Sequence, residues 1–206
     1  MHGWLKHLHG GDQHSHAGSA PQTTGNVIHW ANRYDRVVQI LALGQAGRLR
    51  RKTIEFARVA PGERVLDVGC GTGALTLVAK EHAGSTGQVC GIDPSPEMIE
   101  VAQRKAARTR ADVDFRVGVI EQMPYPEGLF DVVLSSLMMH HLPADLKPRA
   151  LAEIRRVLKP DGRLVIVDFR GLLEQEGVVA LVKAAGFTQV ESRSLWFNAL
   201  GLIQAV

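Results

Sequence analysis

The stretch Val65-Leu66-Asp67-Val68-Gly69-Cys70-Gly71-Thr72-Gly73 decides the fold. A short strand of buried character runs into three glycines at alternate positions, and Ala74 to Ala83 then reads as a helix. Glycines let the backbone turn sharply and approach a ligand closely. A helix N-terminus directly behind such a turn favours an anionic group. Gly69-x-Gly71-x-x-Ala74 also fits the dinucleotide fingerprint with Ala in its last position, so the turn alone leaves two ligand classes open.

Downstream, strands and helices alternate. Gln88 to Ile92 reads as a second strand, Pro96 to Thr109 as a helix with Ser95 as N-cap, Val113 to Val117 as a third strand and Phe130 to Ser135 as a fourth. Leu146 to Leu158 is a helix stopped by Pro160-Asp161-Gly162, and Arg163 to Phe169 is a fifth strand. Gln175 to Ala185 is a helix ending at Gly186, and Gln189 to Phe197 and Leu200 to Val206 are closing strands. This alternation predicts an α/β fold, Rossmann-like and doubly wound, with a seven-stranded, mostly parallel sheet. Ligands of such sheets bind outside the carboxyl ends of the strands. Functional residues are therefore expected just after Val68, Ile92, Val117, Leu134 and Val167.

Upstream, residues 27–59 read as an N-terminal helical cap, with Ile28, Ala31, Val38 and Leu41 on one face and a break at Gly44 and Gly47. Ile54, Ala57 and Arg58 continue the pattern beyond it. Residues 1–26 lack apolar periodicity and read as a mobile tail holding five of the nine histidines: His2, His7, His9, His14 and His16. Without a fold to fix their geometry, they are expected to bind metals only opportunistically, and no metal site is assigned. The organisation expected is a tail, 1–26, then one domain, 27–206, with its core in 60–206.

Composition bounds the class. The 206 residues are 45% apolar and 22% charged, close to a globular average, which excludes a mostly disordered chain, a collagen and a coiled coil. No run of about 18 apolar residues spans a membrane. No charged segment followed by an apolar one opens the chain, so no secretory signal is expected. With only Cys70 and Cys90, reduced thiols and a cytoplasmic location are expected. Residues 1–60 hold eight Lys or Arg against three acids, whereas the remainder holds sixteen against eighteen. A basic N-terminal face could meet an anionic partner, or be a solvated helix face.

Asp93, at the end of the second strand and twenty residues past Gly73, suits ribose hydroxyls in either ligand class. Asp67 separates them, because an acid just before the first glycine suits an ammonium and repels a pyrophosphate. Nothing past Ile92 supplies the further catalytic domain usual in a nicotinamide enzyme.

The chain resembles the class I S-adenosylmethionine-dependent methyltransferases of the methyltransferase-11 type, from about Ile54 to Asp168. Val65 to Gly73 resembles the first motif of that family and Gly91-Ile92-Asp93-Pro94-Ser95-Pro96-Glu97-Met98 the second. Met123 to Asp131 resembles the loop before strand four, Ser135 to Leu142 the His-His-Leu stretch, and Leu158 to Leu164 the approach to strand five. Arg33-Tyr34-Asp35, Leu43-Gly44 and Arg48 to Arg51 are similar to the N-terminal signature of ubiquinone/menaquinone C-methyltransferases. Leu134 to Leu142 departs from that subfamily, so its substrate is not transferred. A phospholipid N-methyltransferase and a natural-product tailoring enzyme stay open.

The resemblance implies S-adenosylmethionine as cofactor, S-adenosylhomocysteine as product, and a role for each matching residue. Gly69, Gly71 and Gly73, with Cys70 among them, would hold the methionine portion, and Asp67 would engage its ammonium. Asp93 would bind the ribose, and Pro94 and Met98 would flank the adenine, Met98 being otherwise a core residue. Many relatives carry an Asp after strand three for the adenine amine. Here the place reads Gly118-Val119-Ile120-Glu121, so backbone groups near Val119 and Ile120, or Glu121, would serve. Ser135 and Leu137 would line the methyl side, and Tyr34 is either a cofactor contact or packing.

His140 and His141 follow strand four at the expected mouth of the site. Transfer from a sulfonium draws much of its rate from proximity and orientation. A hydroxyl or activated carbon acceptor still gains from a base near neutrality, which histidine provides. Alternatively, one ring packs and caps the following helix. Only Arg170 to Glu174 separates strand five from the last helix, little material for a lid. An open mouth beside a basic face suits a small-molecule or lipid-like acceptor and peripheral contact with an anionic membrane. No nucleic-acid partner is expected, since neither an aromatic-interleaved platform nor a base-flipping signature is present. The protein is expected to be a monomer or homodimer. The rival readings are a non-catalytic cofactor-binding protein and a nicotinamide-dependent oxidoreductase.

Overall fold

The computed structural model describes residues 23, 25, 44–195 and 198–206. The readings made for Tyr34, for the histidine-rich tract and for the helix within 27–43 lie outside these residues.

Strand β1 (Arg64–Val68) sits inside the sheet, with Val65, Leu66 and Val68 apolar and buried. It pairs in parallel with β2 (Gln88–Asp93) on one side and β4 (Phe130–Ser136) on the other. Beyond β2 lies β3 (Asp114–Val117), and beyond β4 lies β5 (Leu158–Phe169), both parallel. Strand β7 (Leu200–Ala205) pairs antiparallel with β5, and β6 (Glu191–Leu195) antiparallel with β7. The resulting sheet has seven strands in the order β3-β2-β1-β4-β5-β7-β6, mostly parallel as expected.

The two-residue period of each strand sorts its side chains between two layers. Leu66, Val68, Val133, Leu164 and Ile166 face one core. It is closed by α4 (Lys147–Val157) through Leu151 and Ile154, and by α5 (Arg170–Gln175) and α6 (Val178–Ala184) through Leu173, Val178 and Val182. Val65, Val132, Leu134, Val165 and Val167 face the other. There, α1 (Ala46–Ala57) supplies Ile54 and Ala57, and α2 (Ala74–Ala83) supplies Leu75, Ala79 and Ala83. Helix α3 (Pro96–Thr109) packs Ile99, Ala102 and Ala106 against Phe115 of β3. It starts where the sequence indicates, because the Ser95 hydroxyl accepts a hydrogen bond from the Met98 amide at 3.2 Å.

Three local readings are corrected. Gly47 does not break a helix: it lies inside α1, and only Gly44 turns the chain, at φ +77°. The helix read over 175–185 is shorter, Val178–Ala184, because Gly177 at φ +60° stands before its first turn, and a separate helix precedes it. Arg170 to Glu174 is thus part of α5 rather than a bare connection. Strand β5 begins at Leu158, but its ladder with β4 jumps from Phe130–Leu158 to Val132–Arg163, so Pro160-Asp161-Gly162 is looped out of register.

The chain order of the parallel strands reverses between β1 and β4. Their connecting loops part there and leave a crevice at the carboxyl edge, where open α/β sheets bind ligands.

Candidate active site

The crevice is a cleft whose empty space, open solvent included, is about 690 Å³. The glycine turn forms its floor. Gly69 and Gly71 take φ of +69° and +51°, where a β-carbon would be strained. The amides of Gly69 and Cys70 both donate to the Ile92 carbonyl at 2.9 Å, which pins the turn against the end of β2. Asp93 closes the floor from the other side. One of its oxygens accepts from the Gly71 amide and the other from the Ser95 amide, each at 2.9 Å. A carboxylate offers about four lone-pair positions, so each oxygen keeps capacity for a further donor. Burial raises the pKa of Asp93, and those two amides oppose the rise.

Pro94, Met98, Val119 and Ile120 make an apolar wall suited to a flat ring. In the same wall, Glu121 buries one carboxylate oxygen, Oε2, without a hydrogen-bond partner. A buried acceptor left unmatched costs about 1–3 kcal/mol, so this oxygen awaits a donor. Opposite stand Leu137, Met138, His141 and Leu142. Leu137 is held at φ +54°, with its amide donating to the Val167 carbonyl at 2.7 Å. Such strain in a residue other than glycine persists only where its surroundings enforce it. Thr23 and Gly25 also line the cleft.

Of the residues expected at the cofactor, Gly69, Gly71, Asp93, Pro94, Met98, Val119, Ile120 and Leu137 line the cleft, as does His141. Four do not. Asp67 is only 1% exposed and faces α2, where its Oδ2 accepts the Thr76 hydroxyl at 2.6 Å. Strand alternation turns it away from the floor. Burial foremost pushes its pKa up to about 7, with the nearby Asp93 adding to the rise and Thr76 opposing it. Cys70 is buried below the turn, and burial raises its thiol pKa well above the usual range. Gly73 serves packing: a β-carbon there would stand 2.6 Å from Phe115 Cζ and 2.9 Å from Ala102 Cβ. Ser135 is fully buried, with its hydroxyl unmatched.

The two histidines separate. They share a 3₁₀ turn, Met139–His141, with ring centroids 4.0 Å apart. His141 faces the cleft, and its pKa is lowered, mainly by partial burial and then by the neighbouring His140, while Asp168 counters. His140 does not line the cleft. Its Nδ1 lies 2.7 Å from Oδ1 of Asp168, and its ring stands 5.1 Å, edge to face, from the exposed Phe169. Asp168 was not singled out in the sequence, although it directly follows Val167, one of the five strand ends marked there.

These features suit a nucleoside carrying an amino acid tail. The glycine backbone admits a close ligand, Asp93 can accept from vicinal hydroxyls, and the unmatched Glu121 oxygen can accept from an exocyclic amine. Comparison with known proteins agrees. Residues 65–162 match the family described as a methyltransferase domain. The chain is 34% identical over 140 residues to the demethylmenaquinone methyltransferase of Symbiobacterium thermophilum, covering 67% of this chain and 55% of that one. It is 37% identical over 139 residues to the demethylmenaquinone methyltransferase of Thermus thermophilus, covering 68% and 62%. It thus spans little more than half the length of these curated relatives. A solved S-adenosylmethionine-dependent methyltransferase from Aquifex aeolicus superposes with a TM-score of 0.69 at 24% identity, over 82% of this chain and 96% of that one, a likeness of fold.

Proposed function

The chain belongs to the class I S-adenosylmethionine-dependent methyltransferases, and from that premise we propose that it transfers a methyl group from S-adenosylmethionine to a small, lipid-like acceptor. The observation that carries the reading is the switch-point cleft, where the Gly69–Gly71 backbone, the Asp93 carboxylate and the unmatched Glu121 oxygen converge. When bound, S-adenosylmethionine supplies an electrophilic methyl group and a good leaving group. Asp93 would orient the ribose, Glu121 the adenine amine, and Met98, Val119 and Ile120 would cover the ring. His141, its pKa lowered, keeps a neutral imidazole in the wall, which suits a neighbouring cationic sulfur.

A lipid-like acceptor is favoured by the surface beside the cleft. Phe169, whose ring stands against His140, and Leu172 on α5 are large apolar residues left 46% and 37% exposed. Two relatives are named for demethylmenaquinone, an apolar ring compound, which supports the same class. The exposed Arg48, Arg51 and Lys52 of α1 would hold the enzyme at an anionic membrane surface where such acceptors partition. Among the described residues, no helix is long and apolar enough to cross a membrane.

The test is calorimetric titration with S-adenosylhomocysteine of the wild type, Asp93→Asn and Glu121→Gln. Micromolar binding weakened at least tenfold in each variant supports the reading. A wild type that does not bind overturns it.

A further inference from the structure

We infer that His140 and Asp168 form a proton-accepting dyad for the methyl acceptor, with Asp168 as its positioning residue. The inference rests on the methyltransferase reading and concerns the acceptor side of the same site. Asp168 is 1% exposed at the carboxyl end of β5 and accepts three hydrogen bonds. Its Oδ1 lies 2.7 Å from His140 Nδ1 and accepts the Phe169 amide at 2.8 Å. Its Oδ2 accepts the His140 amide at 3.1 Å. One carboxylate therefore fixes both the backbone and the ring of His140.

An ionised carboxylate only accepts hydrogen bonds. The Nδ1 facing it must therefore carry the proton, which leaves Nε2 of the neutral ring as a bare acceptor. His140 is partly exposed at the carboxyl edge, beside the open Phe169 ring and against His141, whose own ring borders the cleft. An acceptor lying on Phe169 would bring a hydroxyl or enol to that nitrogen. The O–H bond breaks, its electron pair stays on oxygen, and its proton joins Nε2. The imidazolium so formed is balanced by Asp168, which stays ionised, and its proton later leaves to solvent through the exposed edge of the ring. A carboxylate that orients a histidine in this way sets its tautomer without itself taking the proton.

The acceptor class follows. It must have an acidic proton to lose, as in a phenol or enol flanked by apolar surface, and it is not a thioether or a tertiary amine.

The first test needs no acceptor. Long-range ¹H–¹⁵N NMR on the protein at alkaline pH reads the tautomer of the neutral His140 ring. The Nδ1–H form is expected in the wild type, and a mixed or inverted population in Asp168→Asn, because an amide can also donate. An Nε2–H form in the wild type overturns the dyad, whatever the variant does. The second test is turnover of a hydroxylated naphthoquinol. Asp168→Asn should lower kcat about 100-fold or more, with acceptor KM and S-adenosylhomocysteine affinity changed less than threefold, and Asp168→Glu should recover part of the rate. Equal rates in Asp168→Asn and wild type overturn the proposal. Loss of S-adenosylhomocysteine binding by the wild type would instead strike the methyltransferase reading and leave the tautomer result standing.

Discussion

The Thr76 hydroxyl of α2 donates to Oδ2 of Asp67 on β1 across 2.6 Å, and no water reaches the pair. Burial of the carboxylate outweighs the hydrogen bonds from the Thr76 hydroxyl and backbone, so the pKa of Asp67 rises from 3.8 to about 7. In the unfolded chain the group ionises near 3.8. Between these values the folded protein binds more protons than the unfolded one, so this group makes stability fall as pH rises from about 4 to 7. At about 1.4 kcal/mol per unit the penalty reaches about 4 kcal/mol above pH 7. Asp67→Asn removes the ionisation but adds amide donors that need partners, an effect that does not vary with pH. The expected outcome is a stability difference between variant and wild type that moves by about 2–4 kcal/mol in favour of the variant from pH 4 to pH 8. Urea unfolding of the ligand-free protein at both pH values measures it. A difference that stays constant would mean that Asp67 ionises normally.

Gly73 and Gly177 separate backbone strain from packing. Both have positive φ, +75° and +60°. A β-carbon on Gly177 would meet nothing within 4 Å, whereas one on Gly73 would press on Phe115 and Ala102 at 2.6 and 2.9 Å. Gly177→Ala should therefore cost about 1 kcal/mol, the price of the left-handed conformation alone. Gly73→Ala adds overpacking of about 1–3 kcal/mol and should cost about 2–4 kcal/mol in all. Equilibrium denaturation of the two variants gives the comparison directly. Equal losses would refute the packing role assigned to Gly73.

Lys147 is a buried cation that ties the histidine turn to the far side of the core. Its Nζ donates to the Leu142 carbonyl at 2.8 Å and pairs with Glu176 at 2.7 Å. Lys147→Met keeps the stem's packing but leaves that carbonyl without its donor, at a cost of about 1–3 kcal/mol. Glu176 is partly exposed and can rehydrate. The local effect should exceed the global one, with hydrogen exchange accelerating at the His141 and Leu142 amides before the sheet is affected. Uniform acceleration across β1, β4 and β5 would mean that Lys147 supports the whole core instead.

The sheet was legible because its strands are short, apolar and punctuated by Gly and Pro, and α3 was legible to the residue because Ser95 and Pro96 mark a helix start. The floor of the cleft was legible for a related reason: three alternate glycines after a strand have few structural uses. What the sequence hid was direction and pairing. Asp67 stands in the first motif, yet the two-residue period of β1 sends it toward Thr76, and no local signal reveals that partner nine residues away. Asp168 and His140 lie twenty-eight residues apart, and meet only because Ser136 of β4 pairs with Val167 of β5. A register between two strands is a tertiary fact, so the acid at the end of β5 reads in sequence as one more polar strand terminus. Helix α5 was missed because its six residues are too short to show a helical period, and the start of α6 was misplaced because only the positive φ of Gly177 marks it.

The last prediction concerns the basic helix. Arg48, Arg51 and Lys52 are exposed on α1, whose opposite face packs Ile54 and Ala57 into the core. Each such cation near an anionic lipid surface contributes about 1 kcal/mol, and the attraction decays within a Debye length of about 10 Å at 0.1 M salt. The wild type should sediment with vesicles containing phosphatidylserine at 20 mM salt and be released at 0.5 M. Replacing the three residues with Gln removes about 3 kcal/mol and should weaken partitioning about 100-fold. None of the three lines the cleft, so S-adenosylhomocysteine affinity should not change. If the wild type stays in the supernatant at low salt, α1 is a solvated face, and the acceptor must reach the cleft from solution.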